Sequence, residues 1–187
     1  AVAEKGLVVF DAVISGTASH AAHPNADNPI MKLPEVLRWF NNFTFEKESE
    51  VLGPVKMTVT QVSAGKQHNV VPADVHLVVD VRVNDCYSNQ EIVDLLQQDA
   101  PCTLTPRSTN LNSSSIPLTH ELVQAGIGLG REPYGSPTLS DQAKLSCPSL
   151  KLGPGDSTRS HTANEFIHVS EIEEGISIYI NLLNEIL

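Results

Sequence analysis

Hydrophobic and polar positions in the first hundred residues follow patterns that predict four strands and two helices. An apolar run over 7–14 predicts a buried strand, and alternation over 55–60 and 75–83 predicts two half-buried strands. Apolar residues recur at helical spacing after residues 28 and 88, and a short strand is predicted over 102–105. The predicted order is βαββαβ, an antiparallel sheet with both helices on one face.

Single residues predict how three helices begin. Asn28 caps the first helix, but the ring and missing N–H of Pro34 should interrupt a helix begun at Pro29, so the regular part is expected from Pro34 onward. Capping boxes over 88–91 and 170–173 are expected to start the second and the last helix. The last helix has an apolar stripe that must pack on another element, and its members are Ile172, Ile176, Ile180 and Leu183.

The second part of the chain contains too few elements to close a core of its own. Residues 116–187 hold a weak helix over 119–129, strand-like pieces near Thr138 and over 149–152, and the last helix. They are therefore interpreted as half of an α/β domain.

A Ser- and Asn-rich stretch over 108–115 predicts a loop between two units. We predict a small domain over 6–108 and part of a second domain over 109–187, with residues 1–5 at the junction. The fold class is α/β, with an α+β first domain of ferredoxin-like topology.

Composition excludes several classes of partner. Twelve basic and 22 acidic residues give a net charge of −10, which opposes binding to nucleic acid and to anionic membranes. No apolar run approaches the roughly 18 residues of a membrane span, and no signal peptide is recognisable, so a cytoplasmic protein is expected. Three unpaired cysteines predict free thiols. The chain starts without Met close to a strand, which indicates a cut inside a longer protein.

The segment 153–165 is the richest in groups that could perform chemistry. Two glycines and a proline open it as a loop, and His161 and Glu165 close it. A neutral imidazole is a common metal ligand, and a nearby carboxylate can orient it or bind the metal as well. On spacing alone, an exposed loop histidine beside a helix-forming glutamate is the more frequent case.

Other candidate groups have equally ordinary structural explanations. His20 and His23 lie in a loop flanked by Gly and Pro, where turn histidines are the default. Asn69 lies in a turn, where Asn satisfies backbone groups. Arg82 and Asp80 point the same way from one strand, which suits a surface ion pair.

Several established catalytic motifs are absent from the sequence. Ser140 with its neighbour Asp141 could suggest a nucleophile, but no Gly-x-Ser-x-Gly elbow exists, which disfavours a serine hydrolase. Dinucleotide-binding, Walker and His-Glu-x-x-His motifs are also missing.

Taken together, these segments resemble the cytosolic di-zinc amidohydrolase family of acetylornithine deacetylase, succinyl-diaminopimelate desuccinylase and carboxypeptidase G. Its Gly-x-x-x-His-x-x-x-Pro lid motif matches 16–24, and its Gly-rich loop with a metal-binding His and Asn-Glu matches 153–165. Three further motifs match Asn28-Pro29-Ile30, Asn69-Val70-Val71-Pro72 and Asp80-Val81-Arg82. The stretches 53–61 and 135–142 look closest to the acetylornithine deacetylase branch.

The resemblance implies roles for individual residues. It makes His161 a zinc ligand and His20 the lid histidine that stabilises the oxyanion in the neighbouring subunit's active site. Asn69 and Arg82 would contact the polar end of the substrate, and Ser140 is a weaker candidate for the same role.

The resemblance also implies a homodimer through the lid and two zinc ions per intact subunit, with cobalt possible. The implied substrate is an N-acyl amino acid, with N-acetylornithine or a related N-acyl-ornithine of arginine biosynthesis expected. The alternatives are a desuccinylase or dipeptide peptidase of the same family, a non-catalytic dimerisation module, and a metal-independent sensor. The family's general base and other metal ligands would lie upstream of Ala1, so this chain alone is expected to be inactive.

Overall fold

Nine strands and four helices make up the computed structural model, which describes residues 1–187. The strands are β1 (Ala3–Glu4), β2 (Gly6–Ser15), β3 (Ser19–His20), β4 (Lys56–Ala64), β5 (Val70–Val71), β6 (Asp74–Val83), β7 (Thr103–Pro106), β8 (Ser114–Ser115) and β9 (Gly135–Ser136). The helices are α1 (Pro29–Asn42), α2 (Asn89–Asp99), α3 (Glu121–Gly128) and α4 (Val169–Asn184). Short 3₁₀ helices cover Asp141–Lys144 and Ser157–Arg159.

The main sheet has the strand order β4-β6-β2-β7, with antiparallel neighbours throughout. One face of β2 and β6 is buried at every second residue, because a strand directs successive side chains to opposite faces. That face joins residues of α1 and α2 in a core of 17 buried side chains. The predicted βαββαβ topology is therefore confirmed, and the other face of the sheet is free of helices.

Helix α1 begins earlier than expected. The Asn28 side chain accepts a hydrogen bond from the Ile30 backbone N–H at 3.0 Å, and Pro34 lies inside a continuous helix. The expected start at Pro34 is wrong because burial of Val36 and Phe40 against the sheet holds the helix together despite one missing N–H.

The capping box predicted at the start of α2 is confirmed, and the one predicted at the start of α4 is misplaced. The capping box at Ser88–Glu91 is present as predicted. Helix α4 begins at Val169 rather than after Ser170, and the Glu171 carboxylate accepts the His168 backbone N–H at 2.8 Å. The predicted box over 170–173 was therefore two residues too late. None of the four helices combines the length and apolar character needed to cross a membrane.

Residues 109–187 add little core. A three-stranded sheet of order β8-β1-β9 packs beside α3 over a small buried cluster of Val2, Ile116 and Val123. The expected strands near Thr138 and over 149–152 are not formed, and a short strand occurs at β9 instead. The apolar stripe of α4 is 41 to 56% exposed, so the chain covers it only in part. The domain boundary at 108/109 stays a prediction.

The three cysteines are free thiols, as expected. Cys86 and Cys102 are half-buried, whereas Cys147 is exposed. Burial raises the pKa of the Cys102 thiol to about 11, so this group stays protonated and unreactive near neutral pH.

Candidate functional site

A two-stranded clasp, formed by β3 and β5, carries two of the predicted site residues. His20 pairs with Val70 across the clasp, and the Ala21 N–H donates to the Asn69 carbonyl at 2.9 Å. His20 is exposed and Asn69 is half-buried. The fold thus brings His20 and Asn69, which are far apart in sequence, to neighbouring positions.

The contacts of the His20 ring decide which nitrogen can donate. Its Nδ1 accepts the Ala22 backbone N–H at 3.1 Å, and the His23 ring lies with its centroid 5.7 Å away. A neutral imidazole has one donor and one acceptor nitrogen, so the proton of a neutral His20 is on Nε2. His20 therefore offers an exposed N–H that can stabilise a developing negative oxygen.

Arg82 lies at the opposite end of the main sheet from the clasp. The Gly16 N–H donates to the Ala73 carbonyl at the base of the clasp, at 2.8 Å. Arg82 is nine residues further along β6, which corresponds to about 30 Å of extended strand. A single chain therefore does not bring Arg82 and His20 together.

The Arg82 guanidinium is engaged within the protein. Its Nε and Nη2 donate to the two carboxylate oxygens of Asp80 at 2.8 and 3.0 Å, on the face of the sheet opposite the helices. This is the ion pair that the strand pattern suggested. Arg107 and Asp11 form a similar pair on the same face. A substrate carboxylate at Arg82 would have to share it with Asp80 or displace Asp80, and the binding role stays a prediction.

Ser140 belongs to a buried polar cluster that sequence reasoning missed. The Glu4 side chain is fully buried, and one of its oxygens accepts both the Ser140 hydroxyl and the Ser140 backbone N–H, the latter at 3.1 Å. The Lys151 ammonium pairs with the other oxygen and donates to the Ser136 hydroxyl at 3.0 Å. These contacts give Ser140 a structural role, and its role toward substrate remains a prediction.

His161 has an unusual backbone conformation. Its φ of 61° lies in the left-handed region, and it is the one non-glycine residue with a positive φ. The Glu165 carboxylate accepts the His161 backbone N–H at 3.0 Å and so closes the loop. The Gly-rich segment therefore holds His161 in a defined and exposed position.

Arg159 braces the same loop against α4. Its guanidinium donates to both carboxylate oxygens of Glu171 and lies 4.8 Å from the centre of the Phe166 ring. The hydrogen bonds between Arg159 and Glu171 lower the pKa of Glu171 and raise the pKa of Arg159, so both side chains stay charged near neutral pH. A cleft of about 620 Å³ lies beside this loop, between Tyr134, Lys151 and Ile167.

The chain alone does not provide a zinc site. No group of three His, Cys, Asp or Glu side chains is close enough to hold a metal ion. Protein zinc sites use three or four such ligands. His161 can therefore supply at most one ligand of a larger site.

Known relatives match nearly the whole chain. Succinyl-diaminopimelate desuccinylase of Rickettsia felis is 25% identical over 100% of this chain and 53% of its own length. The enzyme of the same name from Erythrobacter litoralis is 23% identical over 95% of this chain and 50% of its own length. The chain therefore spans about half the length of these relatives. Both carry the name of the alternative branch, and neither is an acetylornithine deacetylase.

Solved structures and a family model agree on the fold. An aminopeptidase of Bacillus cereus gives a TM-score of 0.69 at 14% identity, over 98% of this chain and 52% of its own. An M20 family metallo-carboxypeptidase of Sulfolobus solfataricus gives 0.70 at 15% identity, over 100% of this chain and 60% of its own. Residues 2–101, just over half of the chain, match the model of the peptidase dimerisation domain. The chain therefore belongs to the M20 peptidase dimerisation domain family.

Proposed function

We propose that this chain is the lid and part of the catalytic unit of a metal-dependent amidohydrolase that cleaves N-acyl amino acids. The observation that carries the proposal is the match to desuccinylases along 91 to 100% of the chain. The clasp supports it, because it holds His20 and the backbone of Asn69 at neighbouring positions. The exposed stripe of α4 also fits a chain that completes its domain with further residues.

The length of the sheet favours a site shared between two copies. Arg82 lies at the end of the sheet near Gly6, where β2 continues into β1 and the β9 region. His20 and Asn69 lie at the far end, about 30 Å away along the strands. We propose that the clasp of one subunit reaches the His161 loop of the other in a homodimer.

Each residue of this shared site would have a separate task. His20 would donate its Nε2–H to the oxygen that becomes negative when the amide carbonyl is attacked. Arg82 would bind the substrate carboxylate through two parallel hydrogen bonds. His161 would be one ligand of the metal. When bound, such a metal polarises the carbonyl and lowers the pKa of a bound water.

The acyl group decides between two members of the family. The named relatives favour a succinyl group on diaminopimelate, and acetyl on ornithine is the second candidate. Amine release should be measured with the full-length enzyme on both substrates, before and after exhaustive chelation. We expect turnover of at least one substrate and its loss on chelation. Turnover that survives chelation, or no hydrolysis of either substrate by the metal-loaded enzyme, would contradict the proposal.

The edge strand β4 provides the dimer contact in this proposal. It pairs with β6 on one side only, and its own side chain Val62 is 49% exposed. Met31, in the helix α1 that contacts β4, is 75% exposed. An exposed strand edge is a template for pairing with a second chain. Val62→Lys should weaken the dimer at least about tenfold, because each subunit would then bury an unpaired charge at the interface.

Sedimentation over a range of concentrations measures this effect. Val51→Lys is the matched control, because Val51 is 42% exposed but lies in the loop before β4. The control should sediment like the parent. A Val62→Lys variant as dimeric as the parent would place the interface elsewhere.

A further inference from the structure

The loop between β2 and α1, residues 16–28, carries His20 and is closed at its base. The Thr17 N–H donates to the Asp27 carbonyl at 2.9 Å, and the Thr17 hydroxyl donates to the Asp27 carboxylate at 2.7 Å. A Cβ at Gly16 would lie 2.4 Å from the Asp27 carbonyl oxygen, so only glycine allows this approach. Lys32 pairs with the Asp27 carboxylate, and with Thr17 it lowers the pKa of Asp27. The loop base is thus fixed at neutral pH.

Asn25 connects this base to the residue before His20. Its Nδ2 donates to the Thr17 carbonyl at 2.8 Å and to the Ser19 hydroxyl at 2.7 Å. Its Oδ1 accepts the Asp27 N–H at 2.8 Å. Three of the hydrogen bonds that shape the loop therefore pass through one side chain.

We propose that Asn25 is a positioning residue for His20. The inference depends on the proposed function, in which His20 donates to the oxyanion. The clasp fixes the chain just after His20 through the bond between Ala21 and Asn69, and Asn25 fixes it just before through Ser19. Because the ring is exposed and bonded to the Ala22 N–H, the backbone over 19–22 determines where its Nε2–H points.

Positioning of this kind has a measurable effect on rate. A donor aimed at the oxyanion works only if it is held in place before the reaction, and a misplacement of about 1 Å costs up to about 100-fold. Asn25→Ala in the full-length enzyme should lower kcat about tenfold, with KM and metal content unchanged. Ser19→Ala, which removes one of the three bonds, should give a smaller loss in the same direction.

A double-mutant cycle separates positioning from a general structural effect. In the His20→Ala background, Asn25→Ala should change kcat less than about twofold, because no imidazole is left to position. Asn110→Ala is the matched control, since Asn110 is an exposed loop residue outside the 16–28 segment. A loss by the same factor in both backgrounds would overturn the proposal.

Amide hydrogen exchange in the full-length enzyme tests the inference without measuring activity. The Ala22 N–H donates to the His20 ring and should therefore be protected from exchange; Asn25→Ala should lower that protection about tenfold, whereas Asn110→Ala should not. If His20→Ala leaves kcat unchanged, the proposed function of His20 fails, and exchange at Ala22 alone decides whether Asn25 holds the ring. Unchanged protection at Ala22 in Asn25→Ala would overturn the positioning role.

Discussion

Replacing His161 with alanine in the full-length enzyme is expected to remove one of its metal ions and to lower kcat by more than about 100-fold. Loss of a group that merely supports a metal ligand already costs 10- to 100-fold, and loss of the ligand itself costs more. We assign the ligand role to His161 because its backbone is held at a φ of 61° in an exposed loop, where the ring is accessible to a metal ion. Metal per subunit and kcat are the measurements.

A second substitution separates ligand loss from backbone strain. Alanine is disfavoured at a positive φ, whereas asparagine tolerates it. His161→Asn should therefore keep the loop conformation and still lose metal and turnover. His168→Ala, at the start of α4, is the matched histidine control and should keep both. Two bound metal ions and normal turnover in His161→Asn would refute the assignment.

The first part of the fold could be predicted from sequence because apolar and polar residues alternate along the strands that form its core. In β6 every second residue from Val75 to Val83 is buried, and the opposite face carries His76, Asp80 and Arg82. The Ser88–Glu91 capping box is also a local signal, and it appears where expected. Each of these features depends on residues fewer than ten positions apart.

Features that depend on distant residues were not predictable. Glu4 and Ser140 are separated by 136 positions, and only the folded chain shows that they share a hydrogen bond. The clasp likewise joins His20 to a strand 50 positions later, through two short elements without their own hydrophobic pattern. Glu4 lies two residues before the start of β2, and this closeness to an apolar strand was the available sign that its carboxylate needs a buried partner.

The start of α4 shows how tertiary contacts shift a local signal. Ser170 with Glu173 is the only pair there that matches a capping box, because His168, three residues before Glu171, is not a preferred capping residue. The Arg159 guanidinium holds Glu171, and this fixes the helix start at Val169. The loop that carries His161 and the helix end are therefore determined together.

Replacing His20 with alanine should leave the metal content intact and lower kcat about 100- to 1,000-fold, because loss of one oxyanion donor costs about 3 to 4 kcal/mol. His23→Ala is the matched control, since its ring lies beside His20 in the same loop. Metal loss in His20→Ala would make His20 a ligand and contradict the assignment. Unchanged turnover would show that the oxyanion is stabilised by other groups.

Mixing two inactive variants tests whether His20 acts across the dimer. If the clasp of one subunit serves the His161 loop of the other, a dimer of one His20→Ala subunit and one His161→Asn subunit contains one intact site and one doubly damaged site. Co-expression in equal amounts makes half of the dimers mixed, and half of the sites in each mixed dimer are intact. About a quarter of the activity of the unsubstituted enzyme should therefore return. If both residues served the same subunit, every site would carry one lesion. A mixture as inactive as the two variants alone would therefore show that His20 and His161 of the same subunit form one active site.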